Sequence, residues 1–165
     1  VRALGLVAGY YRDPTAMRAN HAASFDAKVA QGVDARVRYE STGVAETIPA
    51  AALEGDAAMQ TADTVDYYTR RAAVPNYRNA FAVMSREHFL PFDVQAASTQ
   101  VAQPVAMVHA EAALSPHWAR AFHDKLSGQK TIEWLSSRGQ TDFYDDPTLV
   151  AQAATAIAAK LQAWL

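Results

Sequence analysis

Gln103-Pro-Val-Ala-Met-Val-His109 and Thr131-Ile-Glu-Trp-Leu-Ser-Ser-Arg-Gly-Gln-Thr-Asp-Phe-Tyr-Asp-Asp-Pro147 decide how this chain folds. The first contains Val105–His109, a short apolar run without alternation, which suits a strand covered on both faces. The second opens with a similar run, Thr131–Leu135, and empties into the loop Ser136 to Pro147. Between them Pro116 starts a helical pattern with Trp118, Ala121, Phe122 and Leu126 on one face, closed by Ser127-Gly128. After the loop, Asp146-Pro147 supplies an N-cap followed by proline in the first turn. Val150, Ala153, Ala154, Ile157, Leu161 and Trp164 then mark an amphipathic helix to the C-terminus. Strand, helix, strand, helix at this spacing predicts parallel strands joined by crossover helices. Ligands in such sheets sit in the loops beyond the carboxyl ends of the strands, which makes the Ser136–Pro147 loop the first place to look for chemistry.

Upstream, Ala3–Gly9 is a further strand-like run. Asp13-Pro14 repeats the cap signature, and Met17, Ala22, Ala23, Phe25 and Val29 share a face, predicting a helix from Pro14 to Gln31 that stops at Gly32. Residues 34–55 read either way, with Val37–Glu40 as a short extended or helical piece before Gly43. Two more helical patterns follow, around Ala57–Arg71 and Asn76–His88. The second carries Tyr77, Phe81, Met84 and His88, and Pro75 separates the two.

Half of the 165 residues are hydrophobic, 19% are charged and the formal net charge is −2, the balance of a soluble globular body without the basic face that a nucleic-acid partner requires. No run approaches a membrane span and no leader stands at the start, so a cytoplasmic protein is expected. The chain begins at Val1 and runs at once into a strand, like the back half of something. With no cysteine, disulfides, thiolate zinc sites and a cysteine nucleophile are excluded. His21, His88, His109, His117 and His123 show no metal-binding spacing. Neither a metal nor a cofactor is expected.

From Gln103 to Leu165 the chain resembles the C-terminal portion of an α/β-hydrolase, nearest the dienelactone-hydrolase-like branch. Residues 1–13, Val-Arg-Ala-Leu-Gly-Leu-Val-Ala-Gly-Tyr-Tyr-Arg-Asp, look like the strand that follows the nucleophile elbow and its helix in such enzymes. The resemblance implies an α/β fold: a partial, mostly parallel α/β-hydrolase-type sheet, residues 1–165 forming one C-terminal half, with a helical cap inserted at 14–100. It also implies a triad acid beyond Pro104–His109 and a catalytic histidine in the loop after Thr131–Leu135.

The departures are as informative. No Gly-x-Ser-x-Gly occurs, so the strained turn that exposes a nucleophile is missing. Ser85 stands in Val-Met-Ser-Arg-Glu, without flanking glycines and inside a helical pattern. Past His109 only Glu111 offers a carboxylate. Gln140 stands where the histidine is expected, and an amide cannot accept and return a proton near neutral pH. Glu111 and Gln140 are the candidate catalytic positions, and each has a plainer role. Glu111 suits a loop carboxylate holding backbone N–H groups or a helix start, and Gln140 suits a structural amide using donor and acceptor together. Tyr10, Tyr11 and Arg12, just past the first strand, are candidate substrate-binding residues, as are Asp142 and Tyr144 in the last loop. Asp142 and Asp145 equally suit turn braces, with Asp146 as a helix cap. Phe143, Tyr144, Trp118 and Trp134 suit core or interface. His117 and His123 read as solvent-facing, and His88 is the candidate for a non-standard base.

Three functions fit. The chain is the C-terminal half of an esterase- or lactonase-type serine hydrolase acting on a small carboxylic ester, completed by an upstream segment that brings the serine and oxyanion N–H groups; or a non-catalytic relative serving as a binding or scaffold protein; or a fragment with no role of its own. The expected partners are the small ester, if the protein is catalytic, and an N-terminal half or another chain covering the first strand, whose bare edge is otherwise an aggregation hazard. No nucleic acid and no membrane are expected.

Overall fold

Val105–His109 is a strand, and each of its residues is at most 1% exposed. Its two-residue period sends Val105 and Met107 into one apolar cluster and Val108, with Ala110 beyond it, into another. Burial on both faces is what an unbroken apolar run requires. The computed structural model of the protein describes residues 1–71 and 76–165.

In chain order the elements are β1 (Leu4–Val7), α1 (Pro14–Thr42), β2 (Thr47–Ile48), α2 (Ala62–Asp66), β3 (Phe81–Ala82), α3 (Arg86–Phe89), β4 (Val105–His109), α4 (Pro116–Lys125), β5 (Lys130–Trp134), α5 (Asp142–Asp145) and α6 (Pro147–Trp164). A π-helical turn follows at Tyr67–Arg71, and 3-10 turns lie at Val83–Ser85 and Gln95–Gln100. The described residues divide into two compact units, one made of Val1–Arg12 with Val94–Leu165 and the other of Asp13–Asp93.

The first unit holds a sheet of order β1-β4-β5, parallel throughout, with Leu4 opposite Val105 and Met107 opposite Ile132. One face packs on α4 through Tyr11, Met107, Ala119, Phe122 and Leu126; the other packs on α5 and α6 through Val108, Phe143, Leu149 and Ala153. The α/β class and the parallel order read from the sequence are those of the structure, with β5 starting one residue earlier than its apolar run. Asp146 caps α6 as its sequence predicts, accepting from the N–H groups of Thr148 and Leu149 at 2.9 and 3.1 Å.

The second unit corrects three readings. The predicted stop at Gly32 is a passage: α1 continues to Thr42 and ends at Gly43, whose φ of 71° is left-handed. Gly32 serves packing instead, because a Cβ there would collide with the Glu87 backbone nitrogen. The helical pattern over Asn76–His88 fails because Ile48 and Phe81, and Thr47 and Ala82, pair as antiparallel strands, leaving the 3-10 turn Val83–Ser85 and the single turn α3 as its helical part. The pattern around Ala57–Arg71 becomes helical only after the Thr61 cap, since Met59 is engaged by a bridge to Ala51. The ambiguous residues 34–55 divide between α1 and β2, and the Pro75 break lies outside the described residues. Arg86, 4% exposed, pins this unit together: it donates to Gln31 Oε1 at 2.8 Å and to Asp56 Oδ1 at 2.5 Å, while Arg36 pairs with Glu87 at 2.6 Å.

Candidate functional site

Three parallel strands running the same way bring their carboxyl ends to one rim, so the segments after β1, β4 and β5 are neighbours. Gln140 stands at their meeting point and is 4% exposed. Its Oε1 accepts from the Leu114 N–H at 3.0 Å, and its Nε2 donates to the Ala8 carbonyl at 2.5 Å and to the Tyr144 hydroxyl at 3.2 Å. An amide has two donors and one acceptor oxygen, and all three are engaged, each by a different segment of the rim. The partners also fix which end of the amide is nitrogen, because Leu114 offers a donor and Ala8 an acceptor.

The other candidates lie around this knot. Asp142, 3% exposed, receives Arg138 as a fork, with Nε at 3.1 Å, Nη2 at 2.8 Å and the Arg138 backbone N–H at 2.8 Å. That contact raises the pKa of Arg138 and fixes its charge. Glu111 is exposed and pairs with Arg120, a side chain of α4, rather than with backbone N–H groups; the Arg120 guanidinium lies 3.9 Å from the centroid of the Trp134 ring. Tyr10 is 38% exposed, with its ring 5.8 Å from Trp118 and the Arg12 guanidinium 5.7 Å above it. Burial raises the Tyr10 pKa and Arg12 opposes it; burial lowers the Arg12 pKa and Tyr10 opposes it. Tyr11 is buried against Phe122 at 4.8 Å, and burial pushes its hydroxyl up to about 12, the Gly9 backbone pulling more weakly the other way. Tyr144 is half exposed.

The structure therefore places Tyr10, Tyr11, Arg12, Glu111, Gln140, Asp142 and Tyr144 on the segments that follow the three strands, and it directs the Glu111 carboxylate to Arg120 while Gln140 bonds the Ala113–Leu114 turn. Ser85 and His88 belong to the other unit and are exposed. His109 is fully buried, with Nδ1 3.0 Å from the Ala110 carbonyl. His117 faces solvent as expected, whereas the His123 side chain is only 17% exposed. The sequence reading missed the partners of Gln140, because the Ala8 carbonyl and Leu114 N–H are main-chain groups that no residue type announces. Arg138 carried a usable signal, standing four residues before Asp142. Among the described residues no group of three His, Asp or Glu side chains is placed to hold a metal, and no described helix is long and apolar enough to cross a membrane.

Solved structures share this fold. The chain matches DcsB, solved in complex with its substrate analogue, at a TM-score of 0.73 and 17% identity over 100% of this chain and 57% of that one. The α/β hydrolase GrgF from Penicillium sp. sh18 matches at a TM-score of 0.67 and 16% identity over 95% of this chain and 55% of that one. The fold is of the α/β-hydrolase type. A hypothetical protein from Pseudomonas aeruginosa shares it, with a TM-score of 0.65 at 16% identity over 100% of this chain and 54% of that one. The chain thus spans little more than half the length of these structures. No protein-family model and no curated protein sequence matches it. At such identities the likeness is one of fold, and a hydrolase-type fold does not fix an activity.

Proposed function

We propose that this chain is the C-terminal part of a non-hydrolytic relative of the α/β hydrolases, a binding or scaffold protein. The observation that carries the reading is the Gln140 amide, whose donors and acceptor are all spent on Ala8, Leu114 and Tyr144. A residue in that position joins loops and cannot take a proton from a nucleophile. Glu111, the nearest candidate acid in sequence, is occupied by Arg120. Loss of triad members costs several orders of magnitude in rate. The test is hydrolysis of p-nitrophenyl esters by the chain and by a form extended upstream. The expected result is no turnover above background in either, and no gain with Gln140→His; turnover by the extended form that Gln140→Ala abolishes would overturn the reading.

The lengths of the matched structures favour a second reading, since they leave room for as much chain again. On it, the chain is the C-terminal half of an esterase- or lactonase-type serine hydrolase of the dienelactone-hydrolase-like branch, acting on a small carboxylic ester with a nucleophile supplied from upstream. The extended form would then hydrolyse such esters while residues 1–165 would not. Both readings share a polypeptide partner, an N-terminal half or another chain, that covers the edge of β1, which among the described residues pairs only with β4.

A further inference from the structure

Only two non-glycine residues among those described have a left-handed backbone, Ala8 with φ of 43° and Ser115 with φ of 49°. Both lie in the unit that holds the parallel sheet, and each adjoins a main-chain group held by Gln140. Gln140 Nε2 donates to the carbonyl of Ala8 itself, and Gln140 Oε1 accepts from the N–H of Leu114, the residue before Ser115. A left-handed residue with a Cβ weights its local equilibrium against that conformation by roughly five- to thirtyfold.

Ser115 is the more telling of the two. Its φ and ψ of 49° and 58° are left-handed although its sequence context calls for extended backbone. It precedes Pro116, whose ring pushes the residue before it to extended values. It also stands at the cap of α4, where a serine normally accepts, from an extended backbone, the N–H of the second or third helical residue. Here its side chain makes no cap hydrogen bond. The start of α4 thus forgoes a cap that its residue type is suited to supply, next to the N–H that Gln140 holds. A backbone so at odds with local preference persists only where its surroundings override it, and such residues collect at clamps and switches.

We infer that the rim is a spring-loaded clasp with Gln140 as its catch. In the closed arrangement Gln140 joins Ala8 to Leu114 and keeps both turns left-handed. In the released arrangement, rotation about the Ser115 N–Cα bond takes that residue to extended backbone, its hydroxyl caps α4 through the N–H of His117 or Trp118, and the Leu114 N–H leaves Gln140. The Leu114 N–H, the Ala8 carbonyl and the Gln140 amide then stand open at the carboxyl ends of the strands, where parallel sheets bind ligands. The hydrogen bonds of Gln140 favour closure, whereas the two left-handed residues and the unused cap favour release. The inference holds for either reading of the function.

Hydrogen exchange of the Leu114 amide in the full chain reads release directly. Ser115→Gly removes the strain of the closed arrangement and the cap of the released one, so exchange should slow by roughly fivefold or more. Ser115→Ala keeps the strain and deletes only the cap, and should slow exchange by about fivefold. Gln140→Ala removes the catch, so the Cα and Cβ chemical shifts of Ser115 should leave the left-handed range for the extended one. A Leu114 amide whose exchange either Ser115 variant leaves unchanged or speeds, or a Ser115 that stays left-handed without Gln140, overturns the clasp. Both Ser115 variants keep Gln140, so the exchange measurement decides even where Gln140→Ala does not fold.

Discussion

At the residue scale, Gln140 carries the strongest expectation. Replacing it by Ala strands the part-buried Leu114 N–H and the buried Ala8 carbonyl, and an unsatisfied buried polar group costs roughly 1–3 kcal/mol. Chemical denaturation of Gln140→Ala should therefore show a lower midpoint; an unchanged midpoint would mean the amide is free for ligand contact. Tyr11 gives the opposite case. Its hydroxyl is buried and, among the described residues, has no well-formed hydrogen bond beyond a weak approach to the Gly9 backbone, so Tyr11→Phe should leave stability unchanged or raise it at neutral pH. Its pH dependence has a definite sign. The folded value of about 12 lies above the ordinary 10.0, so the unfolded chain releases the proton first and stability falls as pH rises from 10 towards 12. Tyr11→Phe should remove that part of the alkaline loss, as read by denaturation midpoints between pH 9 and 12. The Gln140 brace was legible in the sequence because the residue type excluded a base and fitted an amide tie. The engagement of Glu111 by Arg120 was not, since nothing in the local sequence of either places a nine-residue separation across a loop and a helix.

At the element scale, α6 depends on its start. The Asp146 carboxylate accepts two first-turn N–H groups, so Asp146→Ala should cost about 1 kcal/mol and lower the thermal midpoint. In the other unit, the Arg86 guanidinium on Asp56 lowers the Asp56 pKa below the ordinary carboxylate value, and burial only partly offsets it. A lowered folded value means stability that is complete above the unfolded value of 3.8 and lost as pH falls through the folded one. Acid denaturation should thus begin below about pH 4, and Asp56→Asn should flatten that limb while lowering stability at pH 7; identical acid limbs would refute the assignment. Elements defined by burial were legible, and elements defined by partners were not. β4 could be read because four consecutive apolar residues, Val105–Val108, have no other economical use. β3 could not, because Phe81-Ala82 becomes a strand only through Thr47-Ile48, more than thirty residues earlier. Gly32 misled for a related reason: the same absence of Cβ that ends helices also lets α3 approach one.

At the scale of the whole molecule, the alternation of strands and helices made the parallel α/β class readable, and the common rim followed from it. The boundary of the second unit, Asp13–Asp93, was beyond composition alone, because the 3-10 turn at Gln95–Gln100 joins the sheet through its own contacts, Gln95 Nε2 donating to the Tyr11 and Trp118 carbonyls at 2.7 and 3.0 Å. β1 stands at one end of the sheet, with Val7 42% exposed. An uncovered parallel edge recruits further chain, so light scattering on residues 1–165 alone is expected to show concentration-dependent association that an upstream extension suppresses; a monomer at all concentrations would argue against a covering partner. The placement of β1 also has a consequence in time. Leu4 pairs with Val105, so about 100 further residues must leave the ribosome before β1 meets β4. At roughly 5–20 residues per second that is a wait of about 5–20 s, during which Asp13–Asp93 can settle through its own contacts. Nascent chains arrested once residue 100 has cleared the ribosome should accordingly protect Gly32, Ala35 and Val83 from hydrogen exchange while the groups of Leu4–Val7 that bond β4 still exchange, so β1 is sealed on that side long after it is made.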